Sequence, residues 1–303
     1  RQSGIAVPTS THLPISSSQS LTFHAQYADV IVLARELNLG QVKEIKATID
    51  REQIKGPSGR LLEIEMFCHG ALCMAISGKC YLSLHEYGAS ANRGSCYQLC
   101  RRGYSVTDLE TGNTLEIDNK YIMSPKDLCT IEFMDKIIDA GVTVFKIEGR
   151  ARSAEYVKTV ARCYRDAADA VLAGKYTPEY ASELKERLST VFNRGFWDGY
   201  YQGARLGEWS EVYGNKATKS KKYIGKVTNY FSNIGVAEIL IETGSISVGD
   251  NVIIIGPSTG VVEVTVEEIR VDLKSTESAV KGEYCSIAVP EKLRRSDKLY
   301  LFQ

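Results

Sequence analysis

LLEIEMFCHGALCMAISGKCYLSLHEYGASANRGSCYQLCRR, residues 61–102, joins two patterns that decide how the chain is read. Its first residues alternate. Leu62, Ile64 and Met66 fall on one face and Glu63, Glu65 and Phe67 on the other, the period of a β-strand. Beyond Cys68 that period stops and cysteines gather. Cys68, Cys73, Cys80, Cys96 and Cys100 are five of the chain's eight, where an even spread would place about one.

Three causes compete: disulfides, a metal site, or a redox centre. A 303-residue chain without a secretory-signal pattern is expected to stay in a reducing cytoplasm, which disfavours disulfides. The paired CxxC of a zinc ribbon is missing; six residues separate Cys73 from Cys80, and 15 separate Cys80 from Cys96. Thiols set among Gly70, Gly78 and Gly94 suit an iron–sulfur cluster, because glycine lets the backbone turn N–H groups toward sulfur. Independent buried thiols fit the same spacing equally well.

Working outward, residues 29–37 (DVIVLAREL) read as a buried strand ending in Arg35 and Glu36. Asn38 caps a helix with Leu39, Val42, Ile45 and Ile49 on one face. A hairpin is expected around Thr111-Gly112-Asn113. Ser124 and Pro125 read as the start of a helix running to about Ala140, which would put Cys129 near a helix N-terminus where the dipole favours a thiolate. Residues 142–148 (VTVFKIE) form a strand with its charges, Lys146 and Glu148, at the far end. Helices follow over 153–173 and from Thr177 to about Thr190. The aromatic run 192–203 (FNRGFWDGYYQG) reads as a packed connector. Residues 1–27 are Ser- and Thr-rich without a clear period.

Lys plus Arg and Asp plus Glu both number 37, so a strongly basic nucleic-acid binder is disfavoured. No apolar run approaches the ~18 residues that span a bilayer, so no membrane association is expected. After a basic linker at 211–222, short strands and turns over 223–303 predict a small β-barrel.

The blocks EIEMFCHGALCMAISGKCYLS, ANRGSCYQLCR, SPKDLC and KIEGR, in this order, resemble the collagenase-like peptidase family of class U, and in particular its tRNA 5-hydroxyuridine hydroxylase branch. The resemblance implies an α/β chain. Residues 1–210 would be part of a TIM-like (β/α) barrel with a cysteine-rich insertion at 66–130, followed by the small β-barrel domain. It implies a [4Fe–4S] cluster on Cys73, Cys80, Cys96 and Cys129, with Cys100 as the alternative ligand and Cys68, Cys163 and Cys285 as plain thiols. It also implies a cytoplasmic RNA hydroxylase acting on the anticodon region of tRNA with prephenate as donor. Hydroxylation of an rRNA cytidine or a ubiquinone precursor is the neighbouring alternative, and an RNA-binding module with a structural cluster is the alternative of another class.

Arg35, at the end of residues 29–37, and Arg93 are candidates for binding substrate carboxylates, with Glu65 as a further one. Lys146, Glu148 and Arg150 are candidates for proton transfer or orientation, with Glu36 and His69 as further candidates. A structural ion-pair network is the plain reading of the same charges. Proteolysis is disfavoured: neither HExxH nor GxSxG occurs, and Cys68 and His69 are adjacent on a strand, where side chains diverge.

Overall fold

The computed structural model describes residues 7–73, 75, 76, 79–117, 124–150, 152–203, 208 and 215–303. The chain divides into two compact units, Arg1–Ala151 with Val160–Lys216, and Arg152–Thr159 with Ala217–Gln303.

In the first unit, Ser17 accepts a hydrogen bond from the Ser20 N–H and starts helix α1, Ser18–His24, which buries Leu21. A stretch read as aperiodic is thus helical where a serine supplies the cap. Strand β1 is Val30–Val32, shorter than the apolar run around it. Leu33 bridges Ile15, and Arg35 and Glu36 already lie in a turn. Asn38 and Gln41 form the reciprocal capping box of helix α2, Leu39–Glu52, at 2.9 and 3.0 Å. Such a cap contributes about 1 kcal/mol. Val42, Ile45 and Ile49 are its buried stripe.

Strand β2, Glu63–Ala71, is the centre of the unit. It pairs in parallel with β1 (Val32↔Glu65) and with β6, Val142–Ile147 (Phe67↔Lys146). Its residues are buried on both faces, as expected for a strand covered on two sides. The excursion that follows β2 contains a short helix, α3, Leu82–Tyr87. It closes with hairpin strands β3, Tyr104–Thr107, and β4, Thr114–Ile117, paired Val106↔Leu115.

The helix expected from Ser124 is not formed. Residues Asp127–Cys129 are strand β5, antiparallel to β2 with His69 opposite Cys129. The Asp127 N–H also bonds the Gly195 carbonyl. Pairing to distant strands overrides the local capping signal, and helix α4 is only Met134–Asp139. Helix α5 is Ala154–Leu172, ended at Gly174, whose φ is 66°. Thr177 caps helix α6, Pro178–Ser189, with the proline at the first turn. Strand β7, Phe196–Trp197, pairs with β5. The aromatic connector is packed: Trp197 and Tyr201 are buried, and the Tyr201 hydroxyl donates to the Phe67 carbonyl at 2.8 Å.

The sheet is mixed, in the order β1-β2-β5-β7 with β6 on β2, and no pairing among the described residues closes it into a barrel. In the second unit, eight strands pair antiparallel along an open path, and two short strands pair apart from them. Alternating apolar residues, among them Ile224, Ile239, Ile254, Ile287 and Leu299, form its core. The closed small barrel expected there is not formed by these pairings. No helix among the described residues is long and apolar enough to cross a membrane.

Candidate functional site

Glu65 and Phe67 share the face of β2 that meets Lys146 of β6. The Lys146 Nζ donates to Glu65 Oε1 at 2.6 Å, and the Glu65 side chain is only 10% exposed. The same Nζ stands 5.5 Å from the centre of the Phe67 ring, and the Arg35 guanidinium stands 5.6 Å from it. Two cations therefore flank one aromatic ring, Arg35 just beyond β1 and Lys146 near the end of β6, with Phe67 in the middle of β2 between them. Sequence reasoning named the charges and missed Phe67. The alternation of β2, which puts it on the Glu65 face, was the signal available.

Arg35 and Arg150 do a second thing. Arg35 Nη2 donates to the Ala75 carbonyl at 3.3 Å, and Arg150 Nη2 donates to the Gly94 carbonyl at 2.6 Å. Arg101, not singled out from sequence, donates to the Leu72 carbonyl at 3.2 Å and to the buried Ser124 hydroxyl at 2.9 Å. Three guanidinium groups thus hold the backbone on either side of Cys73 and next to Cys96. Gly94 adopts a φ of 99° at the turn before Cys96, as expected of it, whereas Gly70, with φ of 106°, lies within strand β2; Gly78 lies outside the described residues. Glu148 accepts from the Arg150 backbone N–H at 2.9 Å, shaping the turn that aims Arg150. Arg93 and Glu36 are exposed, Glu36 beside Arg35 in a small crevice.

His69 is elsewhere. The pairing register slips between Phe67 and His69, and the buried His69 ring packs on Tyr164 of α5 at 5.4 Å and on Phe196 at 5.7 Å. Its Nδ1 lies 3.3 Å from the Tyr164 hydroxyl, which donates to the Cys68 carbonyl at 2.7 Å and accepts from the Thr130 N–H at 2.9 Å. Cys68 donates to the Lys146 carbonyl at 3.4 Å. Adjacent in sequence, Cys68 and His69 are bound to different partners.

The thiols fall into two groups. Cys73 and Cys96 are exposed, and Cys80 and Cys100 half-buried. Burial pushes the Cys100 thiol up, Arg101 opposes it, and Cys73, Cys96 and Cys80 are near enough to push it further. Cys129 is buried on β5, 3.8 Å from the Tyr164 hydroxyl, beside a groove of about 440 Å³ that Lys185 and Trp197 also line. Burial raises its pKa to about 11, so the thiolate expected from a helix N-terminus is disfavoured rather than favoured. Cys68, Cys163 and Cys285 are buried. As a donor set, four thiols grouped in the excursion suit iron and sulfide. Among the described residues, no three His, Cys, Asp or Glu side chains stand close enough to hold a metal ion.

The model of Peptidase family U32 matches residues 1–211. A collagenase of Porphyromonas gingivalis is 58% identical over 299 residues, covering 99% of this chain and 72% of that protein. The tRNA hydroxylation protein P1 of Bacillus subtilis is 33% identical over 271 residues, covering 88% of this chain and 61% of that protein. A 23S rRNA 5-hydroxycytidine synthase of Escherichia coli is 36% identical over 231 residues, covering 72% of this chain and 32% of that protein. The chain belongs to Peptidase family U32.

Proposed function

We propose that this chain is an RNA hydroxylase, acting in the cytoplasm on the anticodon region of tRNA to convert a wobble uridine to 5-hydroxyuridine, with prephenate as co-substrate. The observation that carries the reading is the Arg35–Phe67–Lys146 arrangement beside the tethered cysteine excursion. A dicarboxylate matches it: the two cations meet its carboxylates, and the buried Phe67 ring backs them. Glu65 holds the Lys146 ammonium in place and leaves its remaining N–H donors for a ligand. The parallel run of β1, β2 and β6 would form part of a larger (β/α) barrel, whose chemistry sits at such strand ends.

A [4Fe–4S] cluster would be held by Cys73, Cys80 and Cys96, with Cys129 as the fourth ligand by family resemblance and Cys100 by proximity. When bound, it supplies one-electron chemistry. Arg35, Arg101 and Arg150 set the loops that carry these thiols.

The collagenase name of the 58% identical relative supports a second reading, proteolysis. It requires an accessible nucleophile beside a base. Cys68 and His69 are both buried and separately bonded. The exposed Ser10 Oγ lies 3.0 Å from His12 Nδ1, a contact within one turn.

The test is anaerobic reconstitution with iron and sulfide, incubation with unmodified tRNA and prephenate, and nucleoside mass spectrometry. Gain of one oxygen on uridine supports the reading. Gain on rRNA cytidine alone transfers it to the neighbouring alternative. Cleavage of gelatin that Ser10→Ala abolishes, with no RNA product, overturns it.

A further inference from the structure

The excursion between β2 and the hairpin carries an exposed aromatic surface that the strand-end site does not use. Tyr81, Tyr87 and Tyr97 are 67%, 47% and 57% exposed. The tyrosines of the strand core, Tyr164 and Tyr201, are buried with their hydroxyls bonded. Large rings left to solvent within one short segment mark a surface that meets something else.

The surface is built. The Tyr97 N–H donates to the hydroxyl of Ser83, itself buried, at 3.0 Å. The rings of Tyr87 and Tyr97 lie 5.1 Å apart at 47°. Arg102 stands 5.4 Å from the Tyr87 ring centre and donates to the Tyr87 hydroxyl at 2.7 Å.

Its charge selects the partner. Residues 72–104 contain Lys79, Arg93, Arg101 and Arg102 against the single acid Glu86, in a chain whose total charge is zero. Aromatic faces interleaved with arginine bind single-stranded nucleic acid, because every base has a π-face and the phosphates meet the cations. Tyrosine and arginine also occur at protein contacts, so the positive balance of the segment is what favours a polyanion.

We infer that the face of Tyr87, Tyr97 and Arg102 is a stacking surface for unpaired RNA bases, so that the enzyme takes a loop rather than a duplex. The inference rests on the RNA reading given above and names the part of the chain that performs the recognition. Arg150 ties this excursion to the end of β6, so bases held on the tyrosines lie on the segment anchored to the strand-end site.

The test is fluorescence anisotropy of the purified chain with a labelled RNA hairpin bearing a uridine-rich loop, and with a blunt duplex of the stem sequence. The hairpin is expected to bind more tightly than the duplex. Tyr87→Ala and Tyr97→Ala should each weaken hairpin binding about 10- to 100-fold and leave the duplex unchanged, whereas Tyr97→Phe, which keeps the ring, should stay within about 2-fold. If the wild type binds the hairpin and both alanine variants bind it equally well, the stacking surface is wrong and the RNA reading survives. If the wild type binds neither RNA, the RNA reading falls and takes the surface with it. If the alanine variants change self-association by light scattering and not hairpin affinity, the face is a protein contact and the inference is overturned.

Discussion

Arg150 donates from Nη2 to the carbonyl of Gly94 at 2.6 Å, across 56 residues of sequence. A charged donor on a loop carbonyl is worth about 1.5–3 kcal/mol when buried and less at an exposed site such as this one. Arg150→Ala is therefore expected to free the segment around Cys96 without unfolding the sheet. Faster reaction of Cys96 with a thiol reagent, and faster amide exchange over residues 90–100, would register it. Gly94→Ala should act in the same direction, because a Cβ there meets Arg150 Nη2 at 3.0 Å and φ is 99°. Unchanged thiol reactivity in both variants would count against the tether.

The Lys146–Glu65 pair gives a stability prediction. Glu65 is nearly buried and Lys146 about one-third exposed. Lys146→Met leaves a carboxylate without its cation and should cost about 1–3 kcal/mol, the exposure of the lysine lowering the figure for a fully buried pair. Glu65→Gln keeps a hydrogen-bond acceptor and should cost less. Urea denaturation of the two variants checks the order; equal losses would mean that the pair is merely surface charge.

What was legible from sequence follows contact range. The Asn38 cap, the Thr177-Pro178 start and the Gly174 stop are encoded within a few residues, and each stands where the pattern placed it; Gln41, which completes the Asn38 capping box, was not singled out. Strand β5 was not legible, since its partner is His69–Ala71 on β2 and the local Ser124-Pro125 signal points to a helix. The cations at the strand ends were legible as charged residues after apolar runs. Their bonds to Ala75, Leu72 and Gly94 were not, because a carbonyl in an irregular loop leaves no mark in the sequence.

Cys285, in the second unit, gives the pH prediction. Burial first, then the charge of Glu283, raises its pKa from 9.0 to about 12. The unfolded thiol ionises near its ordinary value while the folded one stays protonated. Stability is then fully present below pH 9 and is lost as pH rises from 9 toward 12, by at most about 1.4 kcal/mol per pH unit. Urea midpoints at neutral and alkaline pH should show this fall in the wild type and a shallower one in Cys285→Ala. The same slope in both proteins would remove Cys285 as its source.

Iron binding separates the thiols. After anaerobic reconstitution, Cys73→Ala, Cys80→Ala and Cys96→Ala should lose most of the iron and the visible absorbance of the cluster, while Cys163→Ala and Cys285→Ala keep both. Cys129→Ala is expected to join the first group and Cys100→Ala the second. The reverse outcome for that last pair would make Cys100 the fourth ligand.

The most direct measurement is the amount of 5-hydroxyuridine in tRNA from cells lacking this gene and any redundant homologue, complemented with the wild type or with Cys96→Ala. The account expects the modified nucleoside to vanish in the deletion, return with the wild type and stay absent with Cys96→Ala. Normal 5-hydroxyuridine in the deletion strain, or full restoration by Cys96→Ala, would contradict it.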